Sequence, residues 1–461
     1  MTTTTQRQLV HLTIDEISEL IKSGVLSPVE LLHAYLDRIE KFDGKVGAFI
    51  NLMADSAMDQ AKAAEVEIGA GKYRGPLHGI TFAVKDQLDS EGAPSYMRGP
   101  TGPMHNEDAT AIARLKDAGA IYMGKLVMSG QPGVPQPSNP WDLERTTGGS
   151  SSGSGAAVAA GFCTATLGED SAGSIRNPAS LCGLVGVIGT YGRVSRFGLA
   201  SMGWTVDHCG PLAATVKDAA YVLEAMAGYD PRDPKTSRES VPQFSTGLDG
   251  GIKGLKIGVP RADVESPAMN VRPEVMAAFN GALEVLKDLG AAVVEIDLPL
   301  VEESTFLSFV IYTGEYFAEY MGQLEWFSEN DREGRLGRMG LGALTGAGDY
   351  LHAQKLRAHM RAEFKKILGD VDLIATPSLA ATAAKTSEMV AGGREWWKRP
   401  GFAAMFNVTG LPALTAPCGF DSQGLPIGLQ LGGRPFGEAT VLKAAHAYEQ
   451  STPWHTMRAE F

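Results

Sequence analysis

Between Thr147 and Arg193 the chain reads TGGSSSGSGAAVAAGFCTATLGEDSAGSIRNPASLCGLVGVIGTYGR, and this stretch limits the fold more than any other. Two Ser/Gly-rich turns flank small-residue and apolar sequence. The first runs from Gly148 to Gly155, and the second from Glu169 to Ser174, passing into Ile175-Arg176. Ala156–Phe162 suits a helix, and Thr164–Leu167 a short strand. Glycine allows close backbone approach, and successive N–H groups on such turns can converge on one oxygen. A flexible linker would stay low in complexity. Here the turns pass at once into helix- and strand-competent sequence, which predicts that they are buried.

The remaining chain predicts an α/β fold. Thr13 with Glu16 forms a capping box for a first helix, and Ser27-Pro28 opens a second running to about Phe42. A third helix is expected over Asp55–Gly69. Gly79–Val84 is a compact, β-branched strand ending at Lys85-Asp86. Helix, strand and helix follow over Ala109–Ala118, Ala120–Gly124 and Val216–Ala227. Gly254–Val259, Pro273–Leu289 and Ala291–Ile296 make a βαβ unit. A long helix over Tyr350–Leu368 leads to a strand at Val371–Thr376. A short helix (Phe402–Thr409), a strand pair (Leu414–Cys418, Ile427–Leu431) and a helix (Ala439–Glu449) close the chain. No linker divides the 461 residues, so one domain over 1–461 is expected. Within it, 1–75 form an N-terminal helical layer, 76–215 the core and 300–410 a variable region.

Glycine is abundant, 55 of 461 residues, about 12% against a typical ~7%. A net charge of −12 argues against independent nucleic-acid binding. Four cysteines show neither C-x-x-C nor zinc spacing, so free thiols, no metal and a reducing cytoplasm are expected. The first residues lack a signal-peptide layout, and no run of about 18 apolar residues predicts a membrane span.

GGSSSGS, DSAGSIR and CGLVG resemble three blocks of the amidase signature family. The resemblance extends over nearly the whole chain, to Tyr191–Gly198 and the C-terminal GLPIGLQ. It implies a large twisted mixed sheet covered on both faces by helices, no cofactor, and hydrolysis of an amide through an acyl-enzyme. Ser174 matches the nucleophile, Ser150 the bridging serine preceded by a cis peptide, and Lys85 the base. A lysine is a base only when neutral, which burial favours. The N–H groups of Ser171, Ala172, Gly173 and Ser174 match the oxyanion hole; Asp170, Arg176 and Gly149 match supporting positions. Ala172 and Ser152 stand where the family usually has glycine. Gly149–Gly153 also fits G-x-S-x-G, with His208 downstream, but an elbow needs a strand directly before it. The Pro-rich loop there excludes this rival, and His208 reads as structural. His352 and His359 read as a solvated helix face.

Asn139–Arg145 and Tyr191–Gly198 resemble the amidase component of tRNA-dependent amidotransferases, which uses ammonia from a glutaminase reaction beside a tRNA-binding partner. Leu126–Gln131 lacks the acidic run typical of that component, which favours a stand-alone amidase. Met128, Ser129, Gly130, Tyr316, Trp326 and Phe402 are candidate pocket residues, with Trp396 and Trp397 nearby in sequence. They suggest a small-molecule aryl amide or anilide substrate; carbamates and esters suit the same route. Homodimers are common in the family, so a homodimer is an expected state.

Overall fold

The structure is a computed structural model describing residues 9–95, 104–131, 133–330, 335–388 and 401–460. Its strands, in chain order, are β1 (Phe49–Leu52), β2 (Thr81–Lys85), β3 (Ile121–Leu126), β4 (Ser138–Asn139) and β5 (Asp142–Thr146). There follow β6 (Ala165–Asp170), β7 (Val185–Ile188), β8 (His208–Ala213) and β9 (Lys256–Val259). The last are β10 (Ala292–Glu295), β11 (Leu373–Pro377), β12 (Ala413–Phe420) and β13 (Pro426–Gly433). Eleven of them form one mixed sheet ordered β1-β3-β2-β6-β8-β7-β12-β13-β11-β9-β10, with β4 and β5 as a separate hairpin.

The expected α/β class holds: helices flank this sheet. β2, β3, β6 and β8 are buried at every position, as continuous strands covered on two sides must be. β2 runs parallel to β3 and β6, whereas β8 runs antiparallel to β6. The βαβ unit appears as β9, a helix over Pro273–Asp288 and β10, with the two strands parallel. The closing pair is the antiparallel β12–β13. Thr13 and Ser27 each cap a helix through a capping box with Glu16 and Glu30. Residues 304–344 form three helices, Ser304–Tyr320, Leu324–Asn330 and Arg335–Leu344.

Three boundaries near the serine turns differ from expectation. Lys85 is the last residue of β2, not the first after it. The small-residue helix spans Ser152–Ala159, so it begins within the first serine turn. Its buried serines have acceptors, since Ser152 and Ser154 donate to the carbonyls of Val127 and Leu167, and this compensates their weak helix preference. Glu169 and Asp170 end strand β6 and do not open the second turn, because their backbones pair with Cys209 and His208 of β8. Among the described residues no helix is long and apolar enough to cross a membrane.

Candidate active site

The site lies where β2 and β6 end side by side. Lys85 closes β2, and its side chain is fully buried. Its Nζ donates to Ser150 Oγ at 2.7 Å, Glu169 Oε2 at 2.7 Å and the Glu169 carbonyl at 3.2 Å. Three donors thus meet three acceptors. Ser150 follows two glycines with φ of 72° and 60°, the left-handed region that glycine enters at little cost. A Cβ at Gly149 would stand 2.6 Å from Pro178 Cδ, so the turn also needs glycine for space. The main-chain N–H of Ser150 donates to Ser174 Oγ at 3.3 Å. Lys85, Ser150 and Ser174 therefore come together, as the sequence motifs imply.

Two details correct the expectation. No cis peptide bond occurs among the described residues, so the bond before Ser150 is trans. The left-handed Gly148–Gly149 turn brings Ser150 to Lys85 by another backbone path. Ser150 reaches Ser174 through its amide, while its hydroxyl faces Lys85.

Asp170 points the opposite way from Glu169, as successive strand residues do. It pairs with Arg176 and accepts from the N–H of Gly173 at 2.5 Å and of Ile175 at 3.0 Å. Burial raises the Asp170 carboxyl, but Arg176 and these bonds override it and hold it well below the usual carboxylate range. Arg176 also donates to the Ala403 carbonyl, Gln430 and Asn407, so the clasp ties the loop to distant parts of the chain. Asp170 and Arg176 occupy bracing positions without contacting the Lys85 cluster.

Gly173 has φ 111°, and a Cβ there would meet Ala403 and Asn177 at 2.7 Å. Its N–H is taken by Asp170, which leaves it bracing the loop. The N–H groups of Ser171, Ala172 and Ser174 enter no hydrogen bond among the described residues. Ala172 and Ser174 are half-buried, so the loop opens to solvent on that side.

The pocket candidates separate. Ser129 lies beside the serine turn, its N–H donating to the Ser150 carbonyl, with buried Met128 and exposed Gly130 on either side. Tyr316 is buried, 4.7 Å from the Tyr320 ring and under the Arg338 guanidinium, so it packs inside the helical layer. Phe402 is buried too, and its carbonyl accepts from Gln430. The Trp326 side chain, Trp396 and Trp397 lie outside the described residues. The helix bearing Tyr316 touches the site at Ser308, which donates to the Ser171 carbonyl at 3.0 Å.

Sequence reading passed over Glu169, Asp207, Asn407 and Gln430. A strand placed through residue 170 would have shown Glu169 and Asp170 on opposite sides. Asn407 and Gln430 come from far along the chain and carry no local signal. His208 is buried, with Nδ1 on the Val206 carbonyl, and burial lowers it to about 4, which fits a structural role. The four cysteines are buried free thiols, and no metal-holding cluster occurs among the described residues. His352 and His359 are exposed.

The amidase family profile matches residues 30–442. The amidase component of the glutamyl-tRNA(Gln) amidotransferase of Moorella thermoacetica is 39% identical, over 98% of this chain and 99% of its own. A solved structure from a vestigial complex, connected with the origins of an s-triazine catabolic enzyme, aligns with TM-score 0.87. It is 31% identical and covers 97% of this chain and 99% of its own. A bacterial aryl acylamidase of the amidase signature family aligns with TM-score 0.86 at 25% identity, over 96% and 97% of the two chains. With a serine motif, a buried lysine and an end-to-end match of this kind, the chain belongs to the amidase family and is an enzyme that cleaves amide bonds.

Proposed function

We propose that Ser174 attacks the amide carbonyl while Ser150 and Lys85 carry its proton. The observation that supports this is the contact of Lys85 Nζ with Ser150 Oγ at 2.7 Å, beside a Ser174 hydroxyl held by the Ser150 amide. Ser174 Oγ bonds to the acyl carbon, its proton passes to Ser150, and the Ser150 proton passes to Lys85. The proton then returns to the departing amine, and water cleaves the acyl-enzyme by the same path. The N–H groups of Ser171, Ala172 and Ser174 would receive the oxyanion, with Gly173 as their brace.

The reading that the relatives favour is the amidase component of a tRNA-dependent amidotransferase, cleaving the side-chain amide of glutamine. It rests on 39% identity along the full length of such a component, and it displaces the expected stand-alone amidase from first place. Likeness to an aryl acylamidase supports the second reading, a self-sufficient hydrolase of aryl amides or carbamates.

Purified chain would be given glutamine, an anilide and an aryl carbamate, with ammonia and aniline measured and Ser174→Ala run alongside. Glutamine cleavage that rises on adding the other amidotransferase components is the expected result. Anilide or carbamate turnover by the chain alone, with glutamine untouched, would overturn the amidotransferase reading and leave the hydrolase.

A further inference from the structure

Glu169 is a fully buried carboxylate whose Oε2 sits 2.7 Å from Lys85 Nζ, yet acyl transfer through Ser174, Ser150 and Lys85 gives it no part. Its other oxygen accepts from Ser171 Oγ at 2.5 Å, and Ser171 Oγ is also 2.9 Å from Asp207 Oδ1. One hydroxyl carries one proton and can donate to only one carboxylate. The second contact therefore calls for a proton on Glu169 or Asp207, shared through Ser171. Burial and the Glu169 charge raise Asp207 to about 8, in keeping with a proton held there. Its other acceptor contacts come from Ser201 Oγ and the N–H groups of Met202 and Gly203. The remaining titratable groups facing this cluster are Cys209, on which both Glu169 and Lys85 act, and Tyr312, on which Glu169 acts.

Resting on the Ser174–Ser150–Lys85 reading, we propose that Glu169 is the positioning residue that takes and keeps the proton Lys85 must lose before it can serve as a base. A Lys85 N–H bond breaks, an O–H bond forms on Glu169 Oε2, and the ammonium–carboxylate pair becomes amine and carboxylic acid. Rotation about Cε–Nζ turns the freed lone pair to Ser150 Oγ. The proton stays on Glu169 through acylation and deacylation, so the working base is charged only transiently. A charge-neutral exchange inside the pair avoids leaving either ion buried and unpaired, which is the costly state.

This gives the reaction a distinctive pH dependence. The proton moves within the pair, so forming the base requires no release to solvent. The wild-type rate is then flat from about pH 6 to 8. In Glu169→Gln the ammonium must discharge to solvent, and the rate climbs toward about tenfold per pH unit across that range. Covalent labelling by a fluorophosphonate reads the activation of Ser174 without a known substrate.

Wild type, Ser174→Ala, Glu169→Gln and Glu169→Asp would be labelled between pH 6 and 8. A flat wild type and Glu169→Asp beside a steep Glu169→Gln is the expected result. Glu169→Gln that parallels wild type, at the same or a lower rate, overturns the inference. So does a wild-type rate that already climbs tenfold per unit, a test that needs no variant to fold. If Ser174→Ala labels as fast as wild type, it is the nucleophile assignment that fails.

Discussion

The two sides of β6 carry two buried ion pairs built for different ends. On one side Asp170 and Arg176 are locked by bonds from Gly173, Ile175 and Asn407 and to Gln430 and Ala403, so neither charge can leave. On the other, Lys85 and Glu169 end in movable hydroxyls, Ser150 and Ser171, beside a half-buried Ser174. A saturated pair fixes a loop, whereas a pair with hydroxyl neighbours can pass a proton. Burial alone does not separate brace from chemistry; the number and kind of remaining partners does.

The largest effect tests the side that reacts. Ser174→Ala should lower amide turnover by about 10⁴-fold or more, with unchanged urea unfolding. Residual turnover near the wild-type rate would break the contrast. On the locked side, Arg176→Ala leaves Asp170 buried without its partner and should cost about 3–5 kcal/mol in urea unfolding. A loss of activity with stability intact would move Arg176 into the chemistry.

The two sides should also titrate in opposite senses. His208 pairs with Asp170 where β8 runs beside β6, and its folded-state value of about 4 lies below the ordinary 6.5. Between these the unfolded chain binds the proton and the folded chain does not. The stabilisation is therefore full above pH 6.5 and is lost as pH falls toward 4, by about 3 kcal/mol. His208→Gln should flatten that limb. Asp207, raised to about 8, has the other sign: its contribution is present below 3.8 and is lost as pH rises through 8. Asp207→Asn should remove this alkaline decline, read from unfolding at pH 6 and 9. The smallest effect serves as a control remote from both sides: Thr13→Ala breaks the first capping box and should cost about 1 kcal/mol without altering turnover.

Much of this architecture was legible because it rests on local chemistry. Thr13 and Ser27 cap their helices, β2 and β3 read as compact apolar runs, and the Gly148-Gly149-Ser150 turn signals tight backbone. The errors fall where partners come from elsewhere. Ser152 and Ser154 read as turn residues, since a serine-rich helix start is unfavourable until buried carbonyls accept the hydroxyls. Glu169 and Asp170 read as a turn because two adjacent acids seldom end a buried strand, and only Lys85 and Arg176 make that tolerable. Tyr316 was grouped with pocket walls on composition, although Tyr320 and Arg338 enclose it.

By itself the sequence determined the α/β class, the serine turns, the lysine at a strand end and the family these imply, all of which depend on residue type and short spacing. Tertiary structure alone decided which acid faces which cation, that the Gly173 N–H is spent on Asp170, and that Ser171 lies between two carboxylates. Those outcomes depend on strands meeting from positions as far apart as 85, 169 and 207, where burial turns a neighbour's charge or hydroxyl into the dominant influence on a proton.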